Sequence, residues 1–507
     1  MRAATPFHVD DLHLVKGSEE SVTQNDRAVH GLRWIGSARL LTQIITWSLT
    51  AITVRLLRPE DYGLIATAGL FTTFAGLLLD GGLSVVLISR RELPIEQQGA
   101  AVTAVLLSSV FLGAIIVFVA PYGSAYFHSA PLAKILQVSA FYLPLAALTV
   151  VPLALLSKEM RFKQIAIIQT LSSLLQGVCT LTLAYLGNAY WALIVGNFIA
   201  TGFRACLLWA TLGRLLVPNT RLRVLKPLLL SSGHMIGTRL TYFATGDFDT
   251  FLLSRFGGSG ILGPYALAKS LSHSALDQLS GIINQISAPA FAAKLDVRSQ
   301  LSGLIKIICL ASTLLFPLFW LLGTLSQEAL PLLFGRRWAS IVLPFCAFCV
   351  ILPLRSIYAL LDSPVVGTGR TSISFKNMIV WATTMMPLLL VSVGLGSFHD
   401  MAMSGAALAW ILGFPLVFLA AMRRIAVAFG ASVSVLLRPM MLPAVCATIS
   451  CAAVEAIELS LSARLNTPIL LGVEILVGGV CYLITIRHYG RDHYDQLFEM
   501  VARLLRR

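Results

Sequence analysis

Charge is scarce in this 507-residue chain: only 12% of its residues are Asp, Glu, Lys or Arg, against 57% hydrophobic. Soluble domains carry about a quarter charged residues to cover their surface, so an ordinary water-soluble globule is excluded. A cleavable leader is also missing. The first 31 residues are polar and lack the basic start, short apolar core and small-residue cleavage site of a secretory signal; they read as an uncleaved cytoplasmic tail. No disulfide framework is legible, because all eight cysteines lie in apolar stretches, where a thiol behaves as a small hydrophobe. Cys346 and Cys349 form a CxxC, but with no histidine beside it no metal or redox centre is expected there. There is no Walker loop, no HExxH and no suitably placed GxSxG, and no loop is long enough to hold a catalytic domain. Neither enzyme activity nor a cofactor nor a metal is expected. The interleaved basic and aromatic residues of a nucleic-acid surface are absent too.

Apolar runs, by contrast, recur from Trp34 almost to Arg487. A bilayer core takes roughly 20 apolar residues per spanning helix, and the runs divide into fourteen helices, over 34–57, 62–88, 100–120, 135–157, 164–186, 189–212, 228–253, 261–290, 303–325, 339–361, 376–396, 402–422, 439–461 and 468–486. Assigning alternate loops to opposite sides puts 25 of the 38 Lys and Arg on the side of the termini and six on the other, with seven inside helices. Cytoplasmic loops are enriched in these residues, so both termini are expected in the cytoplasm. A missed helix would erase the bias. The net charge of +14 then reflects orientation in the membrane.

Sliding the chain by 200 residues aligns helices 1 and 2 with helices 7 and 8 without a gap. Arg39, Leu40, Thr50, Arg55, Gly63, Ala66 and Ala68 meet Arg239, Leu240, Thr250, Arg255, Gly263, Ala266 and Ala268. Six helices separate the copies, an even number, so the repeat is parallel and its axis lies along the membrane normal. The expected fold is an all-α polytopic membrane protein of about fourteen transmembrane helices: two six-helix lobes related by pseudo-two-fold symmetry, plus two C-terminal helices. The expected divisions are a polar tail 1–31, an N-lobe 32–212, a basic cytoplasmic linker 213–227, a C-lobe 228–422, helices 13 and 14 within 423–486, and a basic tail 487–507.

Charge inside a bilayer is costly, about 2.5–3.5 kcal/mol per group on insertion scales, and is retained where it faces a wet cavity or a partner. Helix 7 carries Arg239, Asp247 and Asp249; helix 8 carries Lys269, His273 and Asp277, spaced four apart and therefore stacked along one face. Helices 1 and 2 add Arg39 and Asp80. Arg39, Arg239 and Lys269 are candidates for binding an anionic group, since Arg and Lys donate charge-assisted hydrogen bonds to phosphate oxygens. Arg204 and Arg355, deeper in helices 6 and 10, are weaker candidates for the same role. Asp80, Asp247, Asp249, His273 and Asp277 are candidates for coupling to a proton or sodium ion, with neutralisation of a neighbouring base as the competing role for the aspartates. Alanine at Arg239 or Lys269 is expected to abolish function without lowering the protein level. Glu455, Glu458 and Glu474 lie in the last two helices, outside the repeated core.

The run RLLRPEDYG over 55–63, followed by DGGL over 80–83, resembles the helix 1 to helix 2 signature of Wzx-type oligosaccharide flippases, the polysaccharide transporters of the multidrug, oligosaccharidyl-lipid and polysaccharide exporter superfamily. Asp247-Phe-Asp249, RFGG from Arg255 and LGPYALA over 262–268 resemble that family's helix 7 to helix 8 junction, and FGRRW over 334–338 and GTGR over 367–370 also fit. The resemblance implies a central cationic cavity between the lobes and alternating access for undecaprenyl-pyrophosphate-linked oligosaccharide repeat units, supplying exopolysaccharide or lipopolysaccharide synthesis. The implied setting is the bacterial inner membrane, with membrane lipids and polysaccharide polymerase machinery as further partners and no nucleic acid. Two alternatives remain: an ion-coupled multidrug exporter of the same superfamily, whose cavity should be apolar and acidic, and a membrane glycosyltransferase or polymerase, which should show a long extracytoplasmic loop.

Overall fold

The computed structural model describes residues 42–80, 82–89, 94–214, 216, 219–221, 241, 243–274, 297–367, 370–398, 401–462 and 466–491, and they are helical almost throughout, with no strand among them. The N-terminal half contains α1 (42–56), α2 (Pro59–Asp80), α3 (Leu83–Ser89), α4 (Ile95–Tyr126), α5 (Ala130–Ala140), α6 (Tyr142–Lys158), α7 (Phe162–Tyr185) and α8 (Ala189–Leu212). After a short helical piece at 243–246 come α9 (Phe248–Phe256), α10 (258–274), α11 (Val297–Thr324), α12 (Ser326–Phe334), a 3-10 turn (Arg336–Ile341), α13 (Val342–Gly367), α14 (Thr371–Ser397), α15 (Ala402–Ala428), α16 (Val433–Leu461) and α17 (Thr467–Tyr489).

Eleven stretches among the described residues are long and apolar enough to cross a membrane. The other three expected spans, the first, seventh and eighth, are described only at 42–57, at 241 and 243–253, and at 261–274. Helices prevail because a backbone in hydrocarbon must satisfy its own polar groups. Large apolar side chains such as Phe118, Leu395 and Leu476 are exposed, as a surface solvated by acyl chains requires.

Two expected helices are interrupted. The run read as one helix over 62–88 ends at Asp80 and resumes at Leu83, because Gly82 adopts a positive φ of 85° and Asp80 caps the new helix, accepting from the Ser84 backbone N–H at 3.3 Å and from its hydroxyl. The fourth span breaks at Phe141, three residues before Pro144, which has no N–H to return to the Ala140 carbonyl. The segment 326–338, expected as the loop between the ninth and tenth spans, is largely helical as α12 and the start of the 3-10 turn.

Buried apolar residues between Leu64 and Leu216 gather in separate clusters, while one large cluster runs from Leu252 to Ile486 and takes in Val54 from the N-terminal half, with Ala51, Tyr62 and Ala66 packed against it. The two halves meet where the sequence repeat is best preserved. A Cβ placed on Gly63 would lie 1.9 Å from the Ser259 carbonyl oxygen, and one on Gly263 would lie 1.9 Å from the Pro59 carbonyl oxygen. Each contact maps onto the other through the 200-residue offset, so the glycines permit a two-fold backbone crossing of α2 with α10. The arginines of the repeat also reach across. Arg55 donates from Nε to the Leu333 carbonyl at 2.6 Å and from Nη2 to the Leu332 carbonyl, while Arg255 Nη1 stands 3.2 Å from His128 Nδ1 and its guanidinium lies 5.1 Å from the Tyr126 ring centroid. Thr67 and Ser254 pair through their hydroxyls at 2.7 Å. Together these contacts form a closed seam at the end of the molecule where α1 meets α2.

Candidate functional site

Beyond the seam, α2 and the segments around α9 and α10 draw apart to leave a cavity of about 440 Å³. Small residues of α2, among them Gly69 and Thr73, form one wall; Gly246, Asp247 and Thr250 form another, Lys269, Ser270 and His273 a third, and Arg355 of α13 projects into the same space.

Lys269 organises the polar wall. Its Nζ lies 2.8 Å from the Gly246 carbonyl, 3.0 Å from Asp247 Oδ1, 2.8 Å from Asp249 Oδ1 and 3.0 Å from the Thr250 hydroxyl. An ammonium has three N–H donors, so four oxygens compete for them. The two carboxylates differ in setting. Asp249 is 1% exposed and fully engaged: besides Lys269 it accepts the Tyr265 hydroxyl, the Trp410 indole N–H at 3.1 Å and the Thr250 backbone N–H at 2.7 Å. Asp247 is 34% exposed at the cavity and is the looser partner. A buried carboxylate needs such partners, because removing one side of a buried ion pair costs about 3–5 kcal/mol.

The spacing of four between Lys269 and His273 does stack them on one face. His273 Nδ1 lies 2.7 Å from the Lys269 carbonyl oxygen; a carbonyl only accepts, so Nδ1 carries the proton and Nε2 is left as the acceptor in the neutral ring. Arg355 lies with its guanidinium 5.6 Å from the Trp410 ring centroid, in cation–π range.

The structure thus brings Lys269, Asp247, Asp249, His273 and Arg355 together. Two other candidates lie apart from the cavity lining. Arg204 of α8 packs toward α6, with Nη2 3.4 Å from the Thr149 hydroxyl, and Asp80 serves as the α3 cap described above. Arg39, Arg239 and Asp277 lie outside the described residues. Sequence reasoning missed Tyr265 and Trp410, which hold Asp249 in place. The available signal was the tryptophan itself: a buried indole N–H seeks an acceptor, and an aspartate in a membrane helix is one. Trp410→Phe leaves Asp249 and the Tyr265 hydroxyl short of a donor and is expected to cost about 1–3 kcal/mol, read as a lower melting temperature of the purified protein.

Among known proteins, a profile of the family described as "Polysaccharide biosynthesis protein" matches residues 52–343. The lipopolysaccharide biosynthesis protein WzxC of Escherichia coli (strain K12) is 26% identical over 380 residues, 72% of this chain and 75% of that one. The succinoglycan biosynthesis transport protein ExoT of Rhizobium meliloti (strain 1021) is 25% identical over 59% of this chain and 62% of its own length. The fold is similar to that of a multidrug resistance MATE family transporter of the MOP superfamily, with a TM-score of 0.56 at 15% identity, covering 78% of this chain and 99% of the other. A helical membrane fold, two halves joined by a repeated glycine seam, and a profile match across that seam all agree: the chain belongs to the polysaccharide biosynthesis protein family, the Wzx-type polysaccharide transporters of the multidrug, oligosaccharidyl-lipid and polysaccharide exporter superfamily.

Proposed function

We propose that this membrane transporter flips undecaprenyl-pyrophosphate-linked oligosaccharide repeat units across the bacterial inner membrane, with both termini in the cytoplasm, and that the cavity beside Lys269 receives the pyrophosphate. The observation that carries this reading is the placement of Lys269: its side chain is 13% exposed at the cavity wall and its ammonium is held partly by a carboxylate, Asp247, that itself faces the cavity. Among the described residues, the lining offers Lys269 and Arg355 against the carboxylate of Asp247, a balance that favours an anion over the cationic substrates of a drug exporter.

A phosphate oxygen entering the cavity competes with Asp247 for a Lys269 donor. Asp249, anchored by Tyr265 and Trp410, keeps the ammonium in position as the exchange occurs. Once released, Asp247 is free to take up a proton or a sodium ion, which links loading of the head group to the ion gradient. The seam of Gly63, Gly263, Arg55 and Arg255 is the gate on the extracytoplasmic side, closed in this conformation; substrate passage requires it to part and the opposite end to close. Charged groups moving through low dielectric need such fixed partners, because each bare charge at bilayer depth is heavily penalised.

The test is a strain lacking this protein, with its lipid-linked sugars analysed on each membrane face. Complete repeat units are expected to accumulate on the cytoplasmic leaflet. A truncated unit would instead assign the chain to glycosyl transfer.

A further inference from the structure

A second polar cluster, none of whose residues lines the cavity, lies where α11 passes into α12 and α16 turns back into α17. Glu328 of α12, Glu458 of α16 and Glu474 of α17 each direct a carboxylate oxygen to a common point, the three atoms lying within 4.8 Å of one another. Glu474 is 1% exposed, and both of its oxygens are buried without a hydrogen-bond partner; Glu328 Oε2 is buried and unpartnered as well. None of the three carboxylates is in a salt bridge among the described residues. A buried, unpartnered acidic side chain aimed at two more carboxylates lacks a counter-charge, and a cation at the common point would supply one.

We infer that Glu328, Glu458 and Glu474 form a binding site for a calcium-class divalent cation. All three are hard oxygen donors, the ligands that such ions take. Calcium binds oxygen at about 2.3–2.6 Å, so two ligands of one ion can stand about 5 Å apart, and the separations here fall within that span. Magnesium, at about 2.0–2.1 Å with strict octahedral demands, needs the carboxylates drawn closer. One divalent ion leaves a single negative charge on the cluster, where a monovalent ion leaves two.

The position gives the site a consequence. α12 is only nine residues long; Glu328 lies in its first turn, and its last turn presents the Leu332 and Leu333 carbonyls to Arg55 of α1. An ion at Glu328 therefore fastens α16 and α17, which lie outside the repeated core, to the short helix that the N-terminal half grips at the seam.

The test uses the full-length protein in detergent at pH 8, stripped of divalent ions, with calcium chloride titrated by calorimetry and thermal unfolding followed in parallel. The wild type is expected to take up one calcium per chain, saturably and with a dissociation constant tighter than about 1 mM, within the range of calcium sites, and to melt at a higher temperature with the ion. Glu474→Gln and Glu458→Gln are each expected to weaken uptake at least tenfold and lose the melting shift. Their ion-free melting temperatures should equal or exceed that of the ion-free wild type, since each removes a repulsive charge; a purely packing role would lower them. Should Glu474→Gln fail to fold, Glu328→Gln at the half-buried position carries the same expectation. Absence of saturable calcium uptake by the wild type, or unchanged uptake in the glutamine variants, overturns the assignment, and a cluster neutralised by protons alone gives the first of these results.

Discussion

Lys269→Ala is expected to abolish polysaccharide export and also to reduce the amount of folded protein. The second effect follows from Asp249. It is buried to 1% exposure and its charge is balanced by Lys269 at 2.8 Å, and stripping the partner from a buried ion pair costs about 3–5 kcal/mol, a large part of the roughly 5–15 kcal/mol that holds a typical domain folded. From sequence alone, alanine at this position is expected to leave the protein level untouched; the geometry revises that expectation. Lys269→Met combined with Asp249→Asn removes both charges of the buried pair and keeps similar volume. This double variant is expected to recover protein level to near wild type while export remains at least tenfold down, because no ammonium is left to meet the phosphate. Immunoblots of membrane fractions and polymer yield from complemented cells separate the two effects. Full export from the double variant would remove Lys269 from the binding role.

Gly263→Ala and Gly63→Ala are expected to be as damaging by a different route. Each adds one methyl group, yet that carbon would fall 1.9 Å from a backbone carbonyl oxygen of the opposite helix, well inside van der Waals contact, with no flexible side chain to yield. The seam cannot close around it. Export is expected to drop at least tenfold, with the equilibrium shifted toward the conformation open at this end, and a cysteine introduced in place of Ser259 should become reactive to membrane-impermeant maleimide. Gly76→Ala, on the same helix α2 but with no atom within 4 Å of an added Cβ, is the control and should export normally. Equal loss at Gly76 would mean that helix flexibility, and not closure of the seam, is what α2 requires.

Much of this is legible in the amino-acid sequence. Apolar run lengths mark eleven of the fourteen expected spans among the described residues, since a bilayer rewards little else, and the 200-residue offset pairs Gly63 with Gly263, the two residues that cross. Of the ionisable groups expected on helices 7 and 8, Asp247, Lys269 and His273 line the cavity, as a charge retained in hydrocarbon marks a partner or a wet space. What remained hidden depended on distance in three dimensions. Trp410 follows Asp249 by 161 residues, and no periodicity announces that its indole ends at that carboxylate. Nor does a sequence reveal that Lys269 is already held by two aspartates. The break at Gly82 was visible as a Gly-Gly pair, but the length of the apolar run outweighed it. Glu328 lies in what reads as a short polar connection, and only the packing of α12 against α16 and α17 brings it beside Glu458 and Glu474.

A lipid-linked head group that crosses through this cavity requires the seam to part once per cycle. Thr67 and Ser254 meet across that seam with their hydroxyl oxygens 2.7 Å apart, so Thr67→Cys with Ser254→Cys, in a background with the eight native cysteines replaced, places two thiols where a disulfide can form. In proteoliposomes loaded with an undecaprenyl-pyrophosphate-linked oligosaccharide, oxidation is predicted to stop translocation and reduction to restore it to the level of the unoxidised protein. Translocation that continues undiminished with the disulfide intact would show that the seam does not part during transport.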